Sequence, residues 1–156
     1  MSTEKDTVVT DWHRNASTSR GATYALTKYV DTPARALMAL IFLISGVGKL
    51  TAVVGTQGYM EAHGVPGILI WPAAALEIGS GILLLVGLWL QPLALILAGW
   101  CLLTAAIFHT AFADPSQVVM FLKNLTMAGG FLLLAKSGAP GFGLDGLFAA
   151  RKRMQL

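Results

Sequence analysis

The chain has 156 residues, 55% hydrophobic and only 12% charged, with a mean hydropathy of +0.66. A soluble domain carries about a quarter charged residues, and one this small could not hide so much apolar surface, so the composition points to a membrane. It excludes disorder for the body of the chain, and a lone Cys101 excludes an internal disulfide scaffold. A net charge of +3 with the basic residues at the two ends reads as a topology signal, so no nucleic-acid partner is expected.

Residues 1–33 are polar, contain no apolar run and do not read as a cleaved signal peptide. They read as a cytoplasmic tail, with Tyr24 to Val30 lying against the membrane surface. Asp31-Thr32-Pro33 looks like a helix start, Thr32 as cap and Pro33 in the first turn. Four apolar segments follow, at about 35–54, 68–90, 92–112 and 117–135. Each approaches the ~20 residues a helix needs to cross ~30 Å of hydrocarbon. The breaks carry turn residues: Gly55 to Gly67, then Gln91-Pro92, then Ala113-Asp114-Pro115-Ser116. Backbone polar groups must be satisfied within lipid, so the spans are helices. Ile82-Leu83-Leu84-Leu85-Val86 leaves no polar stripe for a soluble bundle. The predicted fold is an all-α four-helix transmembrane bundle, with the lipid bilayer as its first partner.

Nine of the eleven Lys and Arg residues lie on the terminal sides, and the connections after the first and third spans hold none. Both termini are therefore expected in the cytoplasm. Residues 137–156 form an interfacial basic tail. Within it, Leu144-Asp145-Gly146-Leu147-Phe148 followed by Arg151-Lys152-Arg153 reads as a topology-setting tail or as a short interfacial segment.

The spans contain Lys49, Glu77, His109, Lys123 and Asn124. Charges there are costly, at least ~2.5 kcal/mol each near the bilayer centre. At a rise of about 1.5 Å per residue, all four spans place polar groups roughly 5–14 Å from the same outer end. Glu77 shares a face with Ala73 and Gly81, Lys49 with Ser45 and Gly46, and Lys123 with Met127 and Gly130. These small neighbours point the polar groups into the bundle. One reading is a structural Lys–Glu lock. Two lysines against one glutamate leave a positive charge over, which points instead to a ligand or a proton. His109, near a helix end, reads more readily as an interfacial residue than as a ligand-binding one. His13 and His63 lie outside the spans, so neither a bis-histidine haem nor a metal site is expected. Cys101 has no partner for a dithiol relay and reads as a small core residue.

Phe42-Leu43-Ile44-Ser45-Gly46-Val47-Gly48-Lys49-Leu50 resembles the first-helix signature of the DoxX family of small four-helix membrane proteins. Gly64-Val65-Pro66 with Glu77, Gly79, Gly81 and Gly87 resembles its second segment. Lys123-Asn124-Leu125 with Gly129-Gly130 resembles its fourth helix, and Gly141-Phe142-Gly143-Leu144-Asp145 its closing motif. The resemblance covers about Arg35 to Asp145. It implies a multi-pass protein of the bacterial inner membrane facing a quinone, since a family relative is the membrane subunit of a thiosulfate:quinone oxidoreductase and others are associated with redox-stress complexes.

The first functional expectation is a redox-associated membrane subunit with an outer-leaflet pocket for a quinone head group or small anion. Lys49, Lys123 and Asn124 would donate to its oxygens, Glu77 would hold a proton, and a soluble or membrane redox partner would supply electrons. No catalytic motif lies within the chain. The alternatives are a small proton-coupled transporter and a ligand-free assembly subunit; homo-oligomer formation is left open.

Overall fold

The computed structural model describes residues 29–138 and 142–153. Residues 1–28, with most of the expected cytoplasmic tail, and residues 139–141 and 154–156 lie outside them. The described residues are helical and contain no strand: α1 (Tyr29–Thr51), α2 (Val53–Ala62), α3 (Ile70–Val86), α4 (Leu90–Phe108), α5 (Pro115–Ser137) and α6 (Leu144–Arg153). A 3-10 turn, Gly67–Leu69, leads into α3. Among the described residues, four helices are long and apolar enough to cross a membrane: α1, α3 with its leading turn, α4 and α5, of 23, 20, 19 and 23 residues. Their outward side chains are large and apolar, as lipid requires. In the run Ile82–Val86, Ile82, Leu85 and Val86 are exposed while Leu84 is fully buried.

Several boundaries differ from the sequence expectation, each for an identifiable reason. Helix α1 is already formed at Tyr29, so Thr32 does not cap it. The Asp31 carboxylate instead pairs with Arg35 one turn on, Oδ2 to Nε 3.0 Å, and Thr32 Oγ1 accepts from the same guanidinium at 3.4 Å. The chain bends at Ala52, and the expected loop after it begins as the helix α2. Gly55 and Gly58 each weaken a helix by about 1 kcal/mol. Burial of Met60, and the Tyr59 hydroxyl donating to the Phe108 carbonyl at 3.2 Å, offset that cost. Gly64, at φ 74°, ends α2, where Gly64 N–H and Val65 N–H bond back to the Glu61 and Met60 carbonyls.

The second connection is not Gln91-Pro92. The turn is Gly87-Leu88-Trp89, with Gly87 (φ 70°) and Trp89 (φ 54°) both left-handed. Pro92 lies in the first turn of α4, where a missing N–H loses no helical bond. His109, expected inside the third span, stands just past the end of α4. Helix α5 begins at Pro115 because the Asp114 side chain accepts from Ser116 N–H at 2.8 Å. Those hydrogen bonds hold the Asp114 carboxyl below its usual range.

One half of the bundle is packed and the other is hollow. The core comprises Ala39 and Phe42 from α1, Leu84 from α3, Leu90 to Cys101 along one face of α4, and Ala128, Phe131 and Leu134 from α5. Most of them lie toward the α3–α4 turn, and Phe42 and Cys101 reach the wall of the hollow half. Phe42 and Phe131 meet edge to face at 5.5 Å. Helices α1 and α3 approach through Gly46 and Gly81. A β-carbon on Gly46 would lie 2.6 Å from Ile78 Cγ1 and 3.2 Å from the Ile78 backbone nitrogen, and backbone cannot yield. Gly46→Val is expected to cost about 1–3 kcal/mol by overpacking. Gly129 faces open space, so Gly129→Val is the control and should stay within about 0.5 kcal/mol. Detergent-phase melting of the two variants checks this.

Candidate functional site

The hollow half encloses a partly open cavity of about 660 Å³. It is walled by all four spanning helices and covered by α2, which contributes Thr56, Tyr59 and Met60. Its lining is mainly apolar, with a few polar side chains converging on it, the usual constitution of a small-molecule site.

Glu77 forms its polar centre. Gly46 and Gly81 let α3 sit close to α1, and Glu77 is only 4% exposed. Lys49 Nζ donates to Glu77 Oε2 at 2.7 Å, to Oε1 at 3.0 Å and to Ser45 Oγ at 2.9 Å. An ammonium has three protons, so its donors are all engaged. Trp100 Nε1 donates to Glu77 Oε1 at 3.2 Å, adding α4 to the cluster. A buried carboxylate held by a cation and one further donor bond, from Trp100, meets the condition under which such pairs persist in a low-dielectric interior.

The two lysines part ways here. Both line the cavity with Glu77, but Lys123 pairs with no carboxylate among the described residues. Its Nζ lies 3.3 Å from Met120 Sδ and is otherwise exposed. Asn124 lines the cavity beside it, donating to the Met120 carbonyl at 2.9 Å and accepting from Thr104 Oγ1 at 3.4 Å. His109 closes one side, its Nδ1 2.9 Å from Gln117 Oε1. Tyr59, His63 and Phe108 form a ring cluster there, Tyr59 stacked on Phe108 at 5.6 Å and His63 5.4 Å from Phe108. Among the described residues, no group of three His, Cys, Asp or Glu is placed to hold a metal.

The DoxX family model matches residues 30–110. Over 114 residues the chain is 47% identical to inner membrane protein YqjF of Escherichia coli K12, covering 73% of this chain and 88% of that protein. It is 35% identical over 119 residues to inner membrane protein YphA of the same organism, covering 72% of this chain and 85% of YphA. The chain belongs to the DoxX family. With four spanning helices and these relatives, it is a multi-pass protein of the inner membrane. No solved structure matches it. Glu77, Lys49 and Trp100 fall within the matched stretch of this DoxX protein, whereas Lys123 and Asn124 on α5 fall beyond it.

Two features of this DoxX protein escape a reading of the spans alone. Trp100 looks like any apolar residue of α4 until its indole N–H is seen on Glu77; the available signal is that a membrane-buried indole needs an acceptor. Arg35, counted above among the topology charges, is 1% exposed and buried. It donates to the Leu84 carbonyl at 3.2 Å and to the Phe142 carbonyl, and pairs with Asp31. The signal was present as Asp31 and Arg35 at i and i+4. Eight of the eleven Lys and Arg residues then remain on the terminal sides.

Proposed function

We propose that this DoxX protein is a redox-associated membrane subunit that binds a lipophilic quinone head group in the hollow half of the bundle. The observation that carries the reading is a cavity of about 660 Å³ with a mainly apolar lining and one cation that pairs with no carboxylate among the described residues. A small inorganic anion needs far less room and no apolar wall. A quinone ring with two carbonyl acceptors suits both the wall and the cation. Lys123 is the donor to a carbonyl oxygen, with Asn124 beside it. Lys49 and Glu77 hold α1, α3 and α4 in register around the cavity, the three donors of Lys49 being engaged by Glu77 and Ser45 while Trp100 donates to Glu77. A bound quinone supplies two-electron, two-proton redox chemistry, and a soluble or membrane partner exchanges the electrons. The charge bias supports an orientation with both termini in the cytoplasm, which places the cavity in the outer half. A proton-coupled transporter is the weaker reading, because Glu77 is locked by three donor contacts.

Titration of the purified protein with a short-chain ubiquinone analogue, followed by quenching of Trp100 fluorescence, tests the reading. Saturable quenching is expected, and its loss in Trp100→Phe assigns the signal. Lys123→Met should weaken binding at least about tenfold, the value of one charge-assisted hydrogen bond, without lowering the melting temperature. Absence of saturable quenching in the wild type would overturn the quinone assignment.

A further inference from the structure

Helix α6 has a task that the cavity does not explain. Its start is pinned to the end of the bundle. The Asp145 carboxylate accepts from Trp89 N–H and Leu90 N–H, both at 3.0 Å, and Asp145 N–H donates to the Gly87 carbonyl at 3.0 Å. Trp89 lacks a capping side chain, so Asp145 caps α4 from 55 residues away. Arg35 adds a hydrogen bond to the Phe142 carbonyl. Because the α3–α4 turn joins two spanning helices, this anchor fixes α6 at the membrane boundary.

Beyond the anchor, α6 leaves large apolar side chains exposed. Leu144, Leu147 and Phe148, at i, i+3 and i+4, share a face, and Leu147 and Phe148 are 66% and 59% exposed. Three more aromatic rings are exposed at the same end, Tyr29, Trp89 and Phe142, with Tyr29 and Phe142 6.4 Å apart. Aromatic side chains gather at the headgroup level of a bilayer. The last turn of α6 is Arg151-Lys152-Arg153, and Lys136 closes α5 nearby in the chain. At ten residues α6 is about 15 Å long, too short to cross.

We propose that α6 lies in the headgroup layer and binds anionic phospholipids, its apolar face seated among acyl chains and its basic turn on the phosphates. Each Lys or Arg near an anionic leaflet shifts binding about fivefold. The aromatic ring at this end sets the depth, and the Asp145 anchor removes the entropy of searching for it.

Intact-complex mass spectrometry of the full-length protein, in mild detergent with equal phosphatidylglycerol and phosphatidylcholine, reads the preference directly. The wild type should retain phosphatidylglycerol at least about fivefold over phosphatidylcholine. Arg151→Gln with Lys152→Gln and Arg153→Gln should bring the ratio close to one, while Arg151→Lys with Arg153→Lys should keep it. Leu147→Gln with Phe148→Gln should lower retention of both lipids. Equal retention by the wild type would overturn the proposal, as would an unchanged preference in the triple glutamine variant. Reaction of the buried Cys101 with a thiol-reactive dye on heating confirms that each variant is folded.

Discussion

Arg35→Met should lower the stability of the bundle by about 3–5 kcal/mol, the loss seen when one member of a buried ion pair is removed. The guanidinium is shared among three parts of the chain: Asp31 and Thr32 on its own helix, the Leu84 carbonyl near the end of α3, and the Phe142 carbonyl ahead of α6. Methionine fills much of the volume but satisfies none of these acceptors, and it leaves the Asp31 carboxylate buried without its cation. Lysine cannot substitute, because a single ammonium cannot reach acceptors spread around a planar fork. Adding Asp31→Asn to Arg35→Met should recover part of the loss and no more, since the guanidinium's bonds to the Leu84 and Phe142 carbonyls stay lost. The measurement is the temperature at which Cys101, buried in the wild type, becomes reactive to a maleimide dye in detergent. An unchanged midpoint in the single variant would show that Arg35 is solvated at the membrane surface rather than buried.

Glu77→Gln is expected to be nearly as costly, about 3 kcal/mol, at the lower end of the range for a broken buried pair because Lys49 can draw water from the cavity. The amide keeps one acceptor for Trp100 but no longer neutralises the ammonium. Lys49→Met combined with Glu77→Gln should return the melting temperature close to wild type, since removing both partners leaves no orphaned charge. Quinone binding in that double variant should stay within about threefold of wild type, as Lys49 has no free donor to lose. The contrast with Lys123→Met, stable and weak in binding, separates the lock from the ligand contact. A double variant that melts normally but binds no quinone would make Lys49 and Glu77 part of the ligand site.

How much of this could be read from the order of residues follows from where each interaction is made. Hydropathy counts one residue after another, so the four spans were legible, as were the polar residues within them. Helix ends were less so. Gln91-Pro92 has the form of a break, but proline is harmless in a first turn, and the true turn is set by two left-handed residues, one of them Trp89. Pairing inside the membrane was legible only as a sum. Two lysines and one glutamate require that one lysine be left over, but the sum cannot say which one.

The sequence by itself determined that the chain crosses the membrane four times and must bury a small set of charges, because a bilayer penalises every unpaired polar group whatever surrounds it. Only the tertiary structure decided their partners. Lys49 lies 28 residues from Glu77, Trp100 lies 23 residues from it, and Asp145 caps a helix 55 residues away. Such contacts depend on helix rotation and close approach, set by the room Gly46 and Gly81 leave between α1 and α3. Those choices are made by packing, where side chains from four helices must fill one half of the bundle and leave the other half open.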